Sequence, residues 1–275
     1  MVYREKVPRL RKCKSCGLAW VDPAPSAAEL AEIYSARYFQ TFGYDASADK
    51  RYRHVRAATS DRVLAIAERC LAVGGLLDVG SGLGDLLAAA IRRGWDARGI
   101  EPNPWARAEA DRVAPDATRT CAIEEFEPGK VRFDLVTCID VIEHLRRPDE
   151  ALRRFFGWLR PGGSLALTTP DIGSLLARLM GAHWPHFHVD HLWYFNRETL
   201  TAMVERAGFE VLDWRRAPKV FNLAYIAGIF ERHSTSAPVR RIAEGMLRRC
   251  PPRLLGAPWP AIREGQLLIA RRPSC

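Results

Sequence analysis

The stretch LLDVGSGLGDLL, Leu76–Leu87, decides how this chain folds. A short apolar run that is typical of a buried strand ends in Gly80, Gly82 and Gly84, and a helical pattern follows directly. Glycines at these positions allow a tight turn and a close approach of a ligand to the backbone. The first amides of the following helix can face a negatively charged group. The stretch therefore predicts a strand, a turn and a helix that together bind a ligand.

Strands and helices are predicted to alternate on both sides of this unit. Residues 8–25 are predicted to form a loop, and Ser26 with Glu29 forms a capping box before a helix. The predicted helices are 26–39, 47–70, 84–94, 104–114, 148–163 and 196–208. The predicted strands are 75–80, 96–102, 133–140, 164–170, 209–215 and 265–273. This alternation indicates an α/β fold with a doubly wound, mostly parallel sheet.

Two acidic residues define the ligand that the glycine loop suits. Glu101 ends the next strand, where a carboxylate accepts hydrogen bonds from a ribose diol. A dinucleotide-binding loop would have a third glycine at the position of Asp85. An aspartate there would repel a pyrophosphate, so it favours a cationic ligand such as the amino group or sulfonium of S-adenosylmethionine. The alternative is a structural turn followed by a solvent-facing glutamate.

Together these stretches resemble the class I S-adenosylmethionine-dependent methyltransferases, including the ubiquinone-biosynthesis O-methyltransferase type. The resemblance covers roughly residues 13–273 and implies a Rossmann-like sheet of seven strands, in the order 3-2-1-4-5-7-6, with the last strand antiparallel. It divides the chain into an N-terminal segment, 1–46, and a methyltransferase domain, 47–275, with a helical insert at about 217–264. The matching stretches are LLDVGSGLGDLL, GIEPN, FDLVTCIDVIEHLRRPDEAL, LRPGGSLALTTP, HLWYFNRETLTAMVERAGFEV and GQLLIARRP.

The resemblance also implies which residues bind S-adenosylmethionine and its product, S-adenosylhomocysteine. Asp78 and the glycine loop would hold the methionine end, Glu101 the ribose, and Asp140 would lie under the sulfonium. Relatives often carry an acidic residue that hydrogen-bonds to the adenine. This chain has Ala122 at that position, so backbone amide groups would supply the hydrogen bonds to the adenine here. The implied set is Asp78, Gly80, Gly82, Gly84, Glu101, Cys121, Ala122 and Asp140.

Methyl transfer to a hydroxyl requires orientation of the acceptor and a base for its proton. The stretch DVIEH supplies one group of candidates, because an acidic residue followed by Glu-His has been linked to a divalent metal in quinone-type relatives. Asp140, Glu143 and His144 match that pattern. We interpret Glu143 and His144 as supports of the following turn; a metal that assists at these three residues is the alternative.

The stretch HFHVDH, His186–His191, supplies the second group of candidates. Its spacing resembles a metallohydrolase site, but such a site needs further histidines downstream, and only His233 follows. In the methyltransferases this segment walls the acceptor pocket. We expect the catalytic base to be His186, His188 or His191, with His144 as the next candidate. The alternative for His191 is that it caps the helix near Asn196.

The pair Cys13 and Cys16 resembles the second half of a zinc ribbon. Two cysteines cannot complete a tetrahedral zinc site, and His186–His191 also lacks a full ligand set. We therefore expect a remnant without metal and no stoichiometric zinc in the protein, rather than a site shared between chains.

Composition limits the environment and the partners. The chain has 275 residues, 48% hydrophobic content, a net charge of +9 and seven cysteines. Without an apolar leader, and with an odd, scattered set of cysteines, it is predicted to be cytoplasmic, as a monomer or homodimer. Its basic residues are spread out, so no nucleic-acid partner is expected. The amphipathic helix Val239–Cys250 either packs on its own domain or contacts a membrane surface weakly.

The predicted function is methyl transfer from S-adenosylmethionine to a small-molecule acceptor, with a hydroxyl favoured over nitrogen or carbon. The sequence does not identify the acceptor, which belongs to secondary, quinone, lipid or sugar metabolism. The alternatives are a catalytically silent cofactor-binding module and an RNA methyltransferase.

Overall fold

The computed structural model describes residues 9–34, 50–224, 237–251 and 265–274, together with 227, 231, 254, 258 and 259. Its first element is a hairpin of β1 (Leu10–Lys12) and β2 (Ala19–Val21). The Gly17 amide donates to the Cys13 carbonyl at 3.0 Å, and the Cys13 amide donates to the Leu18 carbonyl at 2.8 Å. The prediction of a loop over 8–25 was therefore wrong at 10–12 and 19–21, where two short strands pair across the turn that these bonds stabilise.

The capping box predicted at Ser26 is present. The Ser26 amide donates to Glu29 Oε2 at 2.6 Å, and the Glu29 amide donates to Ser26 Oγ at 3.2 Å. Helix α1 (Ala27–Ile33) begins there. The predicted continuation over 35–39 lies outside the described residues. Helix α2 (Lys50–Ala67) is one continuous helix.

The predicted alternation continues along the rest of the chain. The elements are β3 (Gly75–Val79), α3 (Asp85–Arg92), β4 (Asp96–Glu101), α4 (Pro104–Ala110), β5 (Thr118–Thr120), β6 (Phe133–Ile139), α5 (Pro148–Trp158), β7 (Leu159–Pro170), α6 (Leu175–Met180), β8 (Trp193–Tyr194), α7 (Arg197–Arg206), β9 (Glu210–Arg216), β10 (Phe221–Asn222), α8 (Ala237–Arg249), β11 (Pro258–Trp259) and β12 (Gly265–Arg271).

Seven strands form the central sheet in the order β5-β4-β3-β6-β7-β12-β9. The pairs among β3 to β7 are parallel, and β12 is antiparallel to both β7 and β9. Counted along the chain, this is the order 3-2-1-4-5-7-6, and it confirms the predicted fold class. Because β3, β4 and β6 are parallel, their carboxyl ends meet at one edge. Gly80, Glu101 and Asp140 therefore share that edge.

The sheet is buried on both faces. Leu77 and Val79 of β3 lie in one apolar cluster with the helices α5 and α7, while Leu76 lies in the other with α2 and α3. This alternation follows from the two-residue period of a strand. Near-continuous burial of β3 and β6 is typical of parallel sheets covered by helices on both sides.

Some elements were missed or misjudged from the sequence. Strand β7 begins at Leu159, not at Ser164, because Leu159 pairs with Phe133 ahead of an irregularity in the register. A second sheet joins β1, β2 and β8, so residues before and after position 46 pair with each other. Among the described residues, no helix combines the length and apolar character needed to cross a bilayer.

Candidate active site

A cavity of about 480 Å³ opens at the carboxyl ends of β3, β4 and β6. Its volume is in the range of small-molecule sites. Residues 80–83 of the glycine loop, Glu101 and Asp140 line it together with Tyr34, which follows α1, and with residues of α2 and of the segment after β9. A larger cavity, of about 650 Å³, lies at the amino ends of β4 and β6, remote from this set. Seven of the eight predicted cofactor residues line the first cavity; Gly84 does not, and a Cβ on it would lie 3.0 Å from Ala110.

The glycine loop has the backbone that its residues allow. Gly80, Gly82 and Gly84 have φ angles of +69°, +52° and +77°, a region that disfavours other residues. A Cβ on Gly80 would lie 2.6 Å from Cγ2 of Val141, whereas one on Gly82 would meet nothing within 4 Å. Gly80 is thus required both by close packing against Val141, just after β6, and by its φ, and Gly82 by its φ alone.

Glu101 is held with its carboxylate at this loop. Its Oε2 accepts from the Gly82 amide at 3.0 Å, and its Oε1 accepts from the Asn103 amide at 2.9 Å. Burial raises the pKa of Glu101, although the two amides act in the opposite direction. Each oxygen has a second lone pair. A buried carboxylate oriented by the loop itself can therefore accept further hydrogen bonds from a ligand's hydroxyls.

Asp78 also lines the cavity, although it is almost fully buried. The Thr137 hydroxyl donates to Asp78 Oδ1 at 2.7 Å. Burial raises the pKa of Asp78 to about 7, with a smaller contribution from the charge of Glu101. Its charge is therefore available to a cationic ligand only near or above neutral pH.

The far end of the cavity contains the predicted adenine contacts. Cys121 and Ala122 both line it, next to Ile123 and the exposed Glu124. Sequence reasoning assigned no acidic residue to this end because Ala122 occupies the expected position. Glu124 lies two residues later on the same segment, which is the signal that could have found it.

Asp85 has a different partner from the one predicted. Its Oδ2 accepts from Arg56 Nε of α2 at 2.5 Å. The sequence prediction that this aspartate contacts the cationic part of the ligand was based on its position at the start of a helix and did not include the contact with Arg56. Arg56 lines the same cavity and neutralises the aspartate.

Asp140 lies at the middle of the cavity in an unusual backbone conformation, with φ of +54°. Thr168 Oγ1 donates to Asp140 Oδ1 at 2.9 Å, and Lys219 Nζ lies 2.6 Å from Asp140 Oδ2. Burial alone would raise the pKa of Asp140, but Lys219, Thr168 and His186 outweigh it, so the pKa is lowered. Asp140 is thus an ionised carboxylate held on both oxygens.

His144 lines the cavity together with Tyr34. His144 Nδ1 lies 2.9 Å from the Tyr34 hydroxyl and 3.0 Å from the Asp190 carbonyl oxygen. A carbonyl only accepts, so Nδ1 carries the proton and Nε2 has the free lone pair. The Asp190 carboxylate, with Oδ2 at 3.6 Å from Nδ1, would stabilise a protonated ring. His144 therefore has the orientation and the support of a base.

Glu143 and His191 lie behind His144. Burial raises the pKa of Glu143 to about 7 and lowers that of His191 well below its usual value. Both Glu143 oxygens and His191 Nδ1 are buried without a hydrogen bond of normal geometry in the described structure. Ligand atoms of Glu143, His144 and His191 lie within 4.8 Å of one another. These three residues could hold a cation. The pattern implied by the resemblance was Asp140, Glu143 and His144, but Asp140 pairs with Lys219, so His191 takes its place in this group.

The stretch HFHVDH lies beside the cavity. His186 and His188 are half-buried and His191 is buried, and none of the three belongs to the lining, unlike His144. His186 stacks on His191 with ring centroids 6.2 Å apart. Trp184 packs in the small core under β2 and β8. The residue of this stretch in direct contact with His144's hydrogen-bonding nitrogen is Asp190.

Several lining residues were not predicted, and three of them have polar partners at the site. Tyr34 follows α1, Arg56 lies on α2 and Lys219 follows β9, all remote in sequence from the glycine loop. None belongs to a motif, so only the folded chain brings them to the cavity.

The chain has relatives in sequence. A family described as a methyltransferase domain matches residues 50–213. A ubiquinone biosynthesis O-methyltransferase of Pseudomonas aeruginosa is 31% identical over 151 residues, which are 50% of this chain and 65% of that protein. Another, from Coxiella burnetii, is 26% identical over 150 residues, 50% of this chain and 64% of that protein. The chain thus spans less than two thirds of these relatives' length.

Solved structures show the same fold. The 1,6-didemethyltoxoflavin-N1-methyltransferase of Burkholderia thailandensis has a TM-score of 0.57 at 17% identity, over 97% of this chain and 99% of that one. The [4+2]-cyclase SpnF has a TM-score of 0.52 at 22% identity, over 78% and 81%. Because one of these is named a cyclase, the fold alone does not define the reaction. The match over 50–213 shows that the chain belongs to the methyltransferase-domain family, and its sheet has the order of the class I S-adenosylmethionine-dependent methyltransferase fold.

Proposed function

We propose that this protein transfers a methyl group from S-adenosylmethionine to a hydroxyl of a small aromatic or quinone-like molecule. The observation that carries the proposal is one cavity with Glu101 at one end and an oriented His144 at the other. The relatives named for ubiquinone biosynthesis support an oxygen acceptor. The RNA methyltransferase alternative has no comparable support, since the cavity has the volume of a small-molecule site.

The residues present fit the cofactor. Glu101 is a buried acceptor suited to ribose hydroxyls, and the open space at Gly82 leaves room for a ligand against the loop. Apolar walls from Leu86, Ile100 and Ile123 suit an adenine. When bound, S-adenosylmethionine supplies a methyl group attached to a positively charged sulfur, and this sulfur is a good leaving group.

The chain's own contribution to the chemistry is orientation and one proton transfer. His144 Nε2 would take the proton of the acceptor hydroxyl as the acceptor oxygen bonds to the methyl carbon. The bound cofactor would supply that methyl group and keep the electron pair of the broken carbon–sulfur bond, so that it would leave as S-adenosylhomocysteine. Asp190 stabilises the protonated imidazole, as a buried carboxylate does for the histidine of a catalytic triad.

The acceptor side has a mixed apolar and polar surface. Val141, Leu145, Val220 and Phe221 provide apolar contacts beside Tyr34 and His144. A flat ring with one or two hydroxyls matches that surface. His191, buried and neutral behind His144, supports the ring of His144 at a centroid distance of 4.7 Å.

Calorimetry with S-adenosylhomocysteine followed by turnover with a panel of mono- and dihydroxylated aromatic acids tests the proposal. His144→Ala should lower turnover by ~10²–10⁴ with little change in cofactor affinity. His54→Ala on the exposed face of α2 is the matched control and should retain activity. Cofactor binding without turnover of any acceptor would favour the silent-module alternative. Full activity of His144→Ala, with loss in a variant of His186, His188 or His191, would return the base to the HFHVDH stretch.

A further inference from the structure

Lys219 places a positive charge in the cavity that is proposed to bind a positively charged cofactor, although like charges repel. It lines the cavity, follows β9 in sequence, and contacts Asp140, whose neighbour Val141 packs against Gly80 of the glycine loop. On the proposed function, the sulfonium would lie between that loop and Asp140. Lys219, which contacts Asp140, would then be close to both the cofactor's charge and the acceptor.

The position of Lys219 is fixed by its partner. Asp140 is held through Oδ1 by Thr168, and its amide donates to the Thr168 carbonyl at 3.0 Å. The side chains of Lys219 and Asp140 are only 25% and 35% exposed, so solvent screens their charges weakly. The ammonium cannot leave without breaking a partly buried ion pair.

The charges of the cavity divide between its two ends. Asp78, Glu101 and Glu124 lie at the cofactor end, and Arg56 already neutralises Asp85. At the middle, Lys219 offsets Asp140 among the described lining residues. With a cationic cofactor bound, Asp140, Lys219 and the sulfonium would together contribute one negative and two positive charges.

We propose that Lys219 selects acceptors by their charge. Its ammonium repels the sulfonium, so the pocket with bound cofactor has an excess positive charge, which an anionic acceptor oxygen balances. The acceptor class is then an acidic hydroxyl, a phenol or an enol, in preference to an aliphatic alcohol or a cationic amine. This inference rests on the proposed function and specifies its substrate class.

Three cofactor probes test whether the charge of Lys219 acts at the sulfonium. S-adenosylmethionine and sinefungin, in which an amine replaces the charged sulfur group, are cationic there, and S-adenosylhomocysteine is neutral. In Lys219→Met both cationic probes should gain at least ~10-fold in affinity relative to S-adenosylhomocysteine, the scale of a unit charge at several ångströms in a partly buried site. Lys219→Arg, which keeps the charge, should retain the wild-type ratio, and Asp140→Asn should shift it the opposite way.

The acceptor class has its own probe. With sinefungin bound, wild type should bind 4-nitrophenolate, followed by its visible absorbance, and reject 4-nitrobenzylamine of similar size. Lys219→Met should weaken the phenolate by at least ~10-fold. Equal binding of the amine, or no phenolate binding by wild type, overturns the acceptor class.

The outcomes separate the two proposals. If wild type binds none of the cofactor probes, the proposed function fails and the inference fails with it. If wild type binds them but the ratio is unchanged in Lys219→Met, only the inference is overturned. An unchanged affinity for S-adenosylhomocysteine shows that the variant is folded, and the opposite shift in Asp140→Asn gives an independent check of sign.

Discussion

Glu101 accepts hydrogen bonds from two backbone amides. Its substitution by glutamine therefore tests whether this carboxylate binds the cofactor. In Glu101→Gln one oxygen becomes an NH₂ group, which would face the Gly82 or the Asn103 N–H and can only donate. We expect S-adenosylhomocysteine to bind more weakly by ~1–3 kcal/mol, the scale for hydrogen bonds to a charged group. Calorimetry measures this directly.

Glu109→Gln is the matched control for that variant. Glu109 is also a buried glutamate, but it lies on α4, pairs with Arg112 and does not line the cavity. Its affinity for the cofactor should equal that of wild type. If Glu101→Gln and Glu109→Gln bind equally well, Glu101 has no role in cofactor binding.

Single residues show where sequence reasoning reaches its limit. Gly80 and Glu101 were predictable because a strand end and a helix start fix their places from neighbouring sequence alone. Lys219 and Tyr34 were not, since their roles depend on contacts with Asp140 and His144, which are far away in the chain. The histidines of HFHVDH attracted attention by type and spacing, but the spacing carried no information on which side chain faces the cavity.

At the scale of elements, Tyr34 connects α1 to both ends of the cavity. Its carbonyl oxygen accepts from Asn103 Nδ2 at 2.8 Å, and its hydroxyl lies 2.9 Å from His144 Nδ1. Tyr34→Phe removes only the hydroxyl contact, so the link to Asn103 remains. We expect a loss of ~0.5–1.5 kcal/mol in the free energy of unfolding and a lower turnover, with cofactor affinity retained.

Urea unfolding and calorimetry separate these effects. A variant that loses cofactor affinity as strongly as it loses turnover would show that the hydroxyl supports the whole mouth of the cavity and not the ring of His144.

The hairpin of β1 and β2 allows a prediction about zinc. Cys13 and Cys16 lie at its turn, and in the described part of the chain no third histidine, cysteine or acidic side chain joins them in a group of ligand atoms. We expect that Cys13→Ser leaves the metal content unchanged, because two thiolates do not complete a tetrahedral site. One equivalent of zinc by elemental analysis in wild type, lost in Cys13→Ser, would contradict this.

For the whole molecule, buried carboxyl groups determine how stability depends on pH. Folding raises the pKa of Asp78 from 3.8 to about 7, so the folded state holds a proton that the unfolded state has released. The stability that this group contributes is complete below pH ~4 and is lost as pH rises to about 7. Glu143, with its pKa also raised to about 7, adds to the same loss.

Asp78→Asn tests this dependence, since asparagine can still accept from the Thr137 hydroxyl. The variant should lose part of the pH dependence between about 4 and about 7, and above pH 7 it should be more stable than wild type by ~2–4 kcal/mol. Glu143 and Glu101, whose pKa values are also raised, should contribute to the remaining slope with the same sign, and His191, whose pKa is lowered, with the opposite sign. Urea unfolding across this range, without cofactor, gives the measurement; parallel curves for the two proteins would show that Asp78 ionises normally in the fold.

The alternation of strands and helices from Gly75–Val79 to Gly265–Arg271 predicted a doubly wound sheet, and the resemblance to the class I methyltransferases implied the order of its strands. The small sheet was not, because β8 has two residues and pairs with strands more than a hundred positions earlier. The start of β7 was also misjudged, since Pro161 and the two glycines after it usually end an element, yet here they lie within a strand.

The sheet of β1, β2 and β8 has a consequence for protein engineering. Trp193 and Tyr194 end the segment that carries Asp190, and they pair with Ala19 and Trp20 through backbone bonds. A chimera that takes residues 171–195 from a homologue, to change the acceptor, would therefore mismatch the native hairpin. Residues 9–21 should be transplanted together with 171–195, as one cassette.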